Sequence, residues 1–297
     1  MSGGARDAAW RRRLEGLVPS QVDECRVLIA GCGSVGSFLA SELARAGVRR
    51  FTLIDPDTVE WANLTRTVYG HRDIGRAKTD ALADHLRGIF EDIEVEAHRS
   101  TLQDLGDGLR IAVAGADLVI GAMDDPKGTG RLNRYAYGLG VPAVFVGLYR
   151  GAKGGEIVMT QPGRSSCFQC ATGGVREVAD EMGGEQVARA RDYGTSRLVA
   201  EVALGSDIHH VCTAGVKVGL SILAQREEAA PLGRFVGAAL DKGSNFLVLG
   251  MTPDYFLFPS THKDAVGQHA FQSLWLATAS RAECPVCGDA ENREPLD

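Results

Sequence analysis

The chain has 297 residues, of which 44% are hydrophobic and 24% are charged, and its net charge is −6. This balance is typical of a folded globular protein, and the acidic surplus disfavours a protein that coats nucleic acid. No apolar run reaches the ~20 residues of a membrane helix, and the basic start lacks the apolar stretch of a secretory signal. We therefore predict a cytoplasmic protein that neither enters membranes nor binds nucleic acid.

Strands and helices alternate through the first half of the chain. Short apolar runs predict strands at 27–30, 51–54, 93–97, 117–121 and 141–146, and apolar residues at helical spacing predict helices at 37–46, 76–90 and 131–139. This alternation predicts an α/β fold with a Rossmann-like, doubly wound and mostly parallel sheet.

The second half has a different character. The pattern predicts a strand at 156–159, a polar and glycine-rich crossover segment at 171–207, a helix at 211–226, and an antiparallel hairpin of 245–250 with 255–258. Because no linker divides the chain, we predict one domain, 1–297. It comprises an N-terminal arm (1–24), a nucleotide-binding half (25–150), the crossover segment, and a C-terminal part (208–297).

A glycine-rich loop joins the first predicted strand to the first helix. Gly31, Gly33 and Gly36 form a G-x-G-x-x-G motif that includes Ser34, and Asp55 ends the next strand 19 residues later. Glycines let the backbone approach phosphates at a helix N-terminus, and a carboxylate in this position can accept hydrogen bonds from a ribose. The loop predicts an adenine nucleotide but does not separate a nicotinamide cofactor from ATP.

Polar residues beyond the loop favour ATP. A triphosphate requires fixed cations and Mg²⁺. Asn63, Arg66 and Lys78 could neutralise the phosphates, and Asp124, at the end of a strand, could hold Mg²⁺. Taken singly, Arg66 and Lys78 could equally be solvated surface charges, so the prediction of an ATP site depends on their occurrence together with the glycine loop.

The ordered motifs GCGSVGS, IDPDTVEWANLTR, GRAKTDAL, ADLVIGAMDD and VPAVFVGLYRGAKGGEI resemble the MoeB/ThiF/HesA family, relatives of the ubiquitin-activating enzymes. The resemblance covers roughly residues 25–225 and both Cys-x-x-Cys pairs. It implies a homodimeric enzyme that uses Mg-ATP to adenylate the C-terminal carboxylate of a ubiquitin-like or sulfur-carrier protein with a flexible, glycine-rich end.

The resemblance also implies roles for single residues. Gly31, Gly33 and Gly36 would line the nucleotide, with Asp55 on the ribose and Asp57 nearby. The phosphates would be held by Asn63, Arg66 and Lys78, with Mg²⁺ on Asp124. An arginine among Arg11, Arg12 and Arg13 would reach the partner's ATP. Thr67 departs from the glutamine usual in the family.

Four of the seven cysteines form two Cys-x-x-Cys pairs, Cys167 with Cys170 and Cys284 with Cys287. Four thiolates complete a tetrahedral structural zinc site, and two pairs argue against a redox motif. Because 113 residues separate the pairs, the site would attach the C-terminus to the sheet domain rather than form a finger. We predict Zn²⁺ there.

Cys212 lies at the predicted N-terminus of the helix at 211–226. A helix N-terminus lowers a thiol pKa, so this residue is either a nucleophile that accepts an acyl group or a small buried core residue. Both interpretations stay open. We interpret Cys25 and Cys32 as packing residues, and His209 and His210 as structural or exposed.

Three functions compete. The first is ATP-dependent adenylation of a protein or peptide C-terminus with release of pyrophosphate, with or without transfer to Cys212; a variant adenylates a non-protein substrate such as a modified tRNA base. The second is an NAD-dependent oxidoreductase, which leaves Arg66, Lys78 and Asp124 without a common purpose. The third is the non-catalytic half of a heterodimer, which would be expected to lose these residues.

Overall fold

The computed structural model describes residues 11–173, 202–225, 231–252 and 270–296, with the side chain of Arg150 excluded. Its strands are β1 (Arg26–Ala30), β2 (Arg50–Ile54), β3 (Glu94–His98), β4 (Leu118–Gly121), β5 (Ala143–Leu148), β6 (Gly154–Thr160), β7 (Ser244–Gly250) and β8 (Gln272–Ala277). Its helices are α1 (Ser34–Arg45), α2 (Lys78–Ile89), α3 (Asp107–Ala114), α4 (Pro126–Gly138), α5 (Gly205–Ala224) and α6 (Gly233–Leu240).

The strands form one sheet in the order β3-β2-β1-β4-β5-β6-β7-β8. The first five are parallel, and β6, β7 and β8 add antiparallel pairs. The last residue of β1, Ala30, pairs with Ile54 of β2 and with Gly121 of β4. The loops that follow these three strands therefore leave the sheet at one edge, the carboxyl edge. The mostly parallel sheet with antiparallel C-terminal strands confirms the predicted fold class.

Helices cover both faces of the sheet. On one face Leu39 of α1, Leu82 of α2 and Val218 of α5 lie in a single buried cluster. On the other face Leu109 of α3 and Leu132 of α4 lie in a second cluster. Burying both faces explains why the central strands are continuous apolar runs rather than alternating ones.

Two predicted helices begin at least five residues earlier than expected. Helix α4 begins at Pro126 instead of residue 131, and the Asp125 carboxylate caps it by accepting hydrogen bonds from the Lys127 and Gly128 amides at 3.0 and 2.9 Å. Helix α5 begins at Gly205 instead of residue 211. The second shift changes the position of Cys212, as shown below.

The predicted hairpin is wrong about the partner of β7. Strand β7 pairs with β6 on one side and with β8 on the other. Residues 255–258 lie outside the described residues, as does most of the crossover segment predicted at 171–207. Whether 255–258 form a strand and whether the crossover segment exists as predicted are therefore untested, and the division of the chain into one domain with four parts also stays a prediction.

Within the described ranges, no helix combines the length and the apolar character needed to cross a membrane. The cytoplasmic location itself remains a prediction.

Candidate nucleotide site and cysteine cluster

The glycine loop joins β1 to α1, and its backbone packs closely against the residue that follows β4 and against the first turn of α1. Gly31 has φ +92°, and a Cβ there would lie 2.4 Å from the carbonyl oxygen of Ala122. A Cβ on Gly36 would lie 1.8 Å from the carbonyl oxygen of Gly31. These two positions accept only glycine because the backbone itself occupies the space of a side chain.

Gly33 has a different environment. Its φ of −78° is open to any residue, and a Cβ built there would meet no atom within 4 Å. It is the N-cap of α1, whose first helical residue is Ser34. The first amides of a helix lack intrahelical acceptors and favour an anion. The open side of Gly33 therefore leaves room for an anion, and the binding of a phosphate there stays a prediction.

Asp55 braces this loop from the end of β2. One carboxylate oxygen accepts a hydrogen bond from the Cys32 amide at 2.6 Å, and the other accepts one from the Asp57 amide at 2.8 Å. The residue is 5% exposed. Its contact with a ribose stays a prediction, and the brace is a role that the motif does not reveal.

Lys78 stands beside the loop at the start of α2. Its Nζ lies 2.7 Å from the Asp57 carboxylate, and its amide donates to the Asp57 carbonyl at 3.0 Å. Burial and the Asp55 carboxylate raise the pKa of the Cys32 thiol, while the Lys78 ammonium lowers it. The contact of the Lys78 ammonium with a phosphate stays a prediction.

Tyr69 is a site residue that sequence analysis missed. Its hydroxyl donates to the Cys32 carbonyl at 2.6 Å and lies 3.2 Å from the carbonyl of Lys78. Burial is the main cause that raises the pKa of Tyr69, so its hydroxyl stays protonated and can donate. The tyrosine thereby fixes the loop relative to α2. A lone Tyr 37 residues from Cys32 carries no motif that would have indicated it.

Asn63 and Arg66 lie in the connection between β2 and α2. The Asn63 side-chain oxygen accepts from the Glu60 amide at 2.8 Å, and the Thr67 hydroxyl donates to the Asn63 carbonyl at 2.8 Å. Thr67 thus stabilises this turn where the family usually has glutamine. A Cβ on Gly205 would lie 2.9 Å from the Thr65 carbonyl and 3.5 Å from the Arg66 Cα, so the turn packs on the start of α5.

Asp124 follows β4 at the carboxyl edge and is exposed. Its neighbour Asp125 is engaged in capping α4, and it also accepts a hydrogen bond from Gln103 at 3.2 Å. The topology thus brings the glycine loop, Asp55 and Asp124 to one edge of the sheet. The convergence of Arg66, Lys78 and Asp124 on one triphosphate remains a prediction.

Cys212 does not lie at a helix N-terminus, and this prediction is wrong. It is the eighth residue of α5, it is fully buried, and burial raises the pKa of its thiol to about 12. A Cβ on Gly215 would lie 3.1 Å from Val146, which shows how closely α5 is pressed against the sheet. The core interpretation of Cys212 is therefore the one that its environment supports.

The remaining single-residue predictions concern exposed or stacked side chains. Arg11 forms an ion pair with Asp23 of the same chain, and Arg12 and Arg13 are exposed. His209 stacks on Phe38 with ring centroids 4.3 Å apart, and His210 is exposed, in agreement with structural or exposed roles. The contact of one of these arginines with the partner's ATP stays a prediction.

Cys25 and Cys32 are both buried in the hydrophobic core, as expected for packing residues.

The four paired cysteines form one buried cluster. The sulfur atoms of Cys167, Cys170, Cys284 and Cys287 all lie within 4.8 Å of one another. The Cys167–Cys284 and Cys170–Cys287 sulfurs are 3.7 and 3.5 Å apart. A tetrahedral zinc with Zn–S bonds of ~2.3 Å places its sulfurs ~3.8 Å apart, so the donor set and its spacing fit this ion.

The local backbone of the second pair has the shape of a metal knuckle. The Val286 amide points to the Cys284 sulfur at 3.5 Å, and the Gly288 amide donates to the Cys284 carbonyl at 2.9 Å. A Cβ on Gly288 would lie 2.3 Å from the Ala282 carbonyl, so the turn requires glycine. The cluster joins the segment after β6 to the segment after β8, as the predicted attachment of the C-terminus requires.

Comparisons with known proteins agree with this architecture. The chain is 31% identical over 154 residues to ubiquitin-like modifier-activating enzyme 5 of Dictyostelium discoideum, a match that covers 48% of this chain and 40% of that protein. It is 30% identical over 165 residues to the Oryza sativa enzyme of that name, covering 51% of this chain and 38% of that one. The chain therefore matches only about two fifths of these curated relatives.

Solved structures share the fold. Escherichia coli MccB with MccA-N7isoASN superposes with a TM-score of 0.64 at 20% identity, covering 91% of this chain and 68% of that one. PaaA superposes with a TM-score of 0.64 at 17% identity, covering 93% and 84%. The ThiF family model matches residues 13–246, which is well over half of the sequence. The chain belongs to the ThiF family.

Proposed function

We propose that this chain binds Mg-ATP at its glycine loop and transfers AMP to a carboxylate, with release of pyrophosphate. The observation that carries the proposal is the position of Lys78: its side chain is 11% exposed, and the Tyr69 hydroxyl lies within hydrogen-bond distance of the carbonyls of both Lys78 and Cys32, which belongs to the glycine loop. Membership of the ThiF family supports the use of ATP.

The reaction needs little acid–base chemistry. A carboxylate oxygen, already ionised near pH 7, attacks the α-phosphorus, and the bond to pyrophosphate breaks. The protein must align the two groups and neutralise the charge that develops on the leaving group. In this proposal Lys78 and Arg66 supply positive charge, Asn63 donates to a phosphate oxygen, and the amides at Gly33 and Ser34 hold the phosphates.

Asp124 is the proposed Mg²⁺ ligand. It is an exposed carboxylate directly beyond the strand next to β1, and carboxylate oxygens are ligands that Mg²⁺ prefers. Bound there, Mg²⁺ would offset the negative charge of the phosphates. The proposed ribose contact is Asp55, whose two oxygens each retain acceptor capacity beyond the single amide bonds that brace the loop.

The four-cysteine cluster is proposed to hold structural Zn²⁺. The soft sulfur donors and their spacing suit that ion, and four buried thiolates would complete the tetrahedral coordination of a closed structural site.

The proposed substrate is the C-terminal carboxylate of a ubiquitin-like or sulfur-carrier protein, or of a peptide, with a flexible, glycine-rich end. The matched relatives are named as activating enzymes of a ubiquitin-like modifier, and crystals of MccB contain ATP or MccA-N7isoASN. We further propose a cytoplasmic homodimer. Transfer of the acyl group to Cys212 is not part of the proposal because the thiol is buried.

The first experiment separates ATP from a nicotinamide cofactor. Calorimetric titrations with Mg-ATP and with NADH are made on the wild type, on Lys78→Ala and on Lys242→Ala, which removes an exposed lysine at the opposite sheet edge. We expect saturable binding of ATP, a loss of affinity of tenfold or more in Lys78→Ala, and no change in Lys242→Ala. Binding of NADH in preference to ATP would favour the oxidoreductase and contradict the proposal.

The second experiment tests the chemistry. ATP–pyrophosphate exchange is measured with each ubiquitin-like protein of the same genome, with and without its last two residues. We expect exchange with one intact protein, loss after truncation, and a decrease of at least 100-fold in Lys78→Ala. Exchange with a tRNA instead would identify the non-protein variant, and exchange that is unchanged in Lys78→Ala would refute the assigned site.

A further inference from the structure

A cavity of about 640 Å³ lies beside the cysteine cluster, away from the nucleotide site. Helix α4 begins next to Asp124 at the carboxyl edge, and its last turn, with Tyr137 and Gly138, lines the cavity. Other walls come from the turn after β6 and from the segment that follows β8, which lie at the amino edge because Thr160 pairs with Ala143. The cavity and the glycine loop are therefore at opposite edges of the sheet.

The charged residues of the cavity wall are mostly arginines. Arg134, Arg164 and Arg293 reach it from three separate segments, and Glu294 is the acidic residue among the described lining residues. Arg134 pairs with Glu294 at 3.4 Å, and Arg164 pairs with the exposed Asp241 at 3.3 Å. Since both of these arginines have carboxylate partners, Arg293 is the lining arginine that forms no ion pair among the described residues.

Arg293 is held in place at the cavity. Its Nε donates to the Gly288 carbonyl at 2.7 Å, and Gly288 belongs to the cysteine knuckle. This bond engages one edge of the guanidinium, and no other described residue forms a hydrogen bond with its two terminal nitrogens, which could bind an oxyanion. Planar guanidinium groups bind phosphate through paired hydrogen bonds, which a lysine cannot reproduce.

The rest of the wall suits an organic group. Pro162, Pro285, Val286 and Leu296 present apolar surface, and the Tyr137 hydroxyl is engaged with the Ser165 carbonyl at 2.7 Å. Small-molecule sites have volumes of roughly 300–1,000 Å³, and the cavity falls within this range. An inorganic phosphate alone would leave most of it unfilled.

We propose that this cavity binds a small organic phosphate, with the phosphate group on Arg164 and Arg293 and the organic part on the proline, valine and leucine wall. The site is independent of the nucleotide site, so the proposal does not depend on the proposed function.

Phenyl phosphate is a suitable probe because it has one phosphate and one compact ring. Its binding is followed by ³¹P NMR titration on the wild type, Arg164→Ala, Arg293→Ala and the exposed-arginine control Arg110→Ala on α3. We expect saturable binding that weakens at least fivefold in each of the first two variants and does not change in Arg110→Ala. Unfolding temperatures of the variants show whether each remains folded.

Two further measurements make the outcome decisive. Lys78→Ala must bind phenyl phosphate as the wild type does, since a loss there would place the probe at the glycine loop and overturn the proposal. Phenol must bind at least fivefold more weakly than phenyl phosphate, since equal binding would show that the arginines do not recognise the phosphate. The absence of saturable binding in the wild type, or equal binding in both cavity variants, would also overturn it.

Discussion

Gly33→Ala and Gly36→Ala form a matched pair that separates nucleotide binding from folding. Both add one methyl group to the same loop, three residues apart. At Gly33 the new Cβ would meet no atom within 4 Å, and the φ of −78° is normal for alanine. At Gly36 the new Cβ would lie 1.8 Å from the Gly31 carbonyl oxygen.

The magnitudes follow from these distances. Ordinary contacts begin at 3.4 Å, so Gly36→Ala requires α1 and the loop to separate by more than 1 Å. Overpacking of this kind costs about 3 kcal/mol or more when backbone has to move. Gly33→Ala should change the free energy of unfolding by less than ~1 kcal/mol. Its methyl group would instead occupy the phosphate position and remove about two charge-assisted hydrogen bonds, a loss of about 100-fold or more in ATP affinity.

Urea denaturation gives the free energy of unfolding of each variant, and calorimetric titration with Mg-ATP gives the affinity. We expect the Gly33→Ala protein to be as stable as the wild type but to bind ATP much more weakly. We expect the Gly36→Ala protein to be less stable. A Gly33→Ala protein that binds ATP with unchanged affinity would refute the assignment of the phosphates to the open side of Gly33. A Gly36→Ala protein of wild-type stability would show that the loop is not packed as described.

Three further predictions concern other buried groups. At pH 7.5 the buried Cys212, whose pKa is about 12, should react with iodoacetamide about 1,000-fold more slowly than an ordinary thiol. Alkylation within minutes, detected by mass spectrometry, would contradict this prediction. The Cys212→Ala variant should retain pyrophosphate exchange. Tyr69→Phe should lower the free energy of unfolding by about 1–2 kcal/mol and weaken the binding of ATP, because the Cys32 carbonyl loses its buried hydrogen-bond donor. Urea denaturation measures this change, with Leu17→Ala, a substitution of an exposed apolar residue, as the control. Elemental analysis should find one zinc per chain, and a strong chelator or Cys284→Ser should lower the unfolding temperature; a metal-free protein of equal stability would exclude a structural metal.

Sequence patterns predicted the site's location because the determinants are local. The glycine loop, Asp55 and Asp124 each follow a buried apolar run, and parallel strands bring their carboxyl ends to one edge. Tyr69 and the Asp55 brace could not be predicted, since they depend on contacts between segments far apart in sequence.

The errors at helix starts have physical causes. The start of α4, with two glycines in the ten residues counted from Asp125, is a poor helix former by composition. However, an aspartate at the N-cap followed by proline at the first helical position is a sequence signal from which the start of α4 could have been predicted. The start of α5 carries Gly205, Asp207 and two histidines, so its apolar periodicity becomes clear only near Val211. That error alone placed Cys212 at a helix terminus.

Helix α4 runs from the proposed nucleotide site to the cysteine cluster, so a metal bound at one edge would act on a nucleotide at the other through this helix. Its first residue follows Asp124 and Asp125, and the Asn133 side chain in its middle accepts a hydrogen bond from the Phe168 amide at 2.9 Å, between Cys167 and Cys170. The Phe168 ring packs on Phe145 of β5 at 4.7 Å. A metal that fixes the first cysteine pair would thus also fix the far half of this helix, whose N-cap directly follows the proposed Mg²⁺ ligand, Asp124. Loss of the metal should therefore destabilise the amino edge of the sheet first. It should weaken the binding of ATP only if the start of α4 also moves.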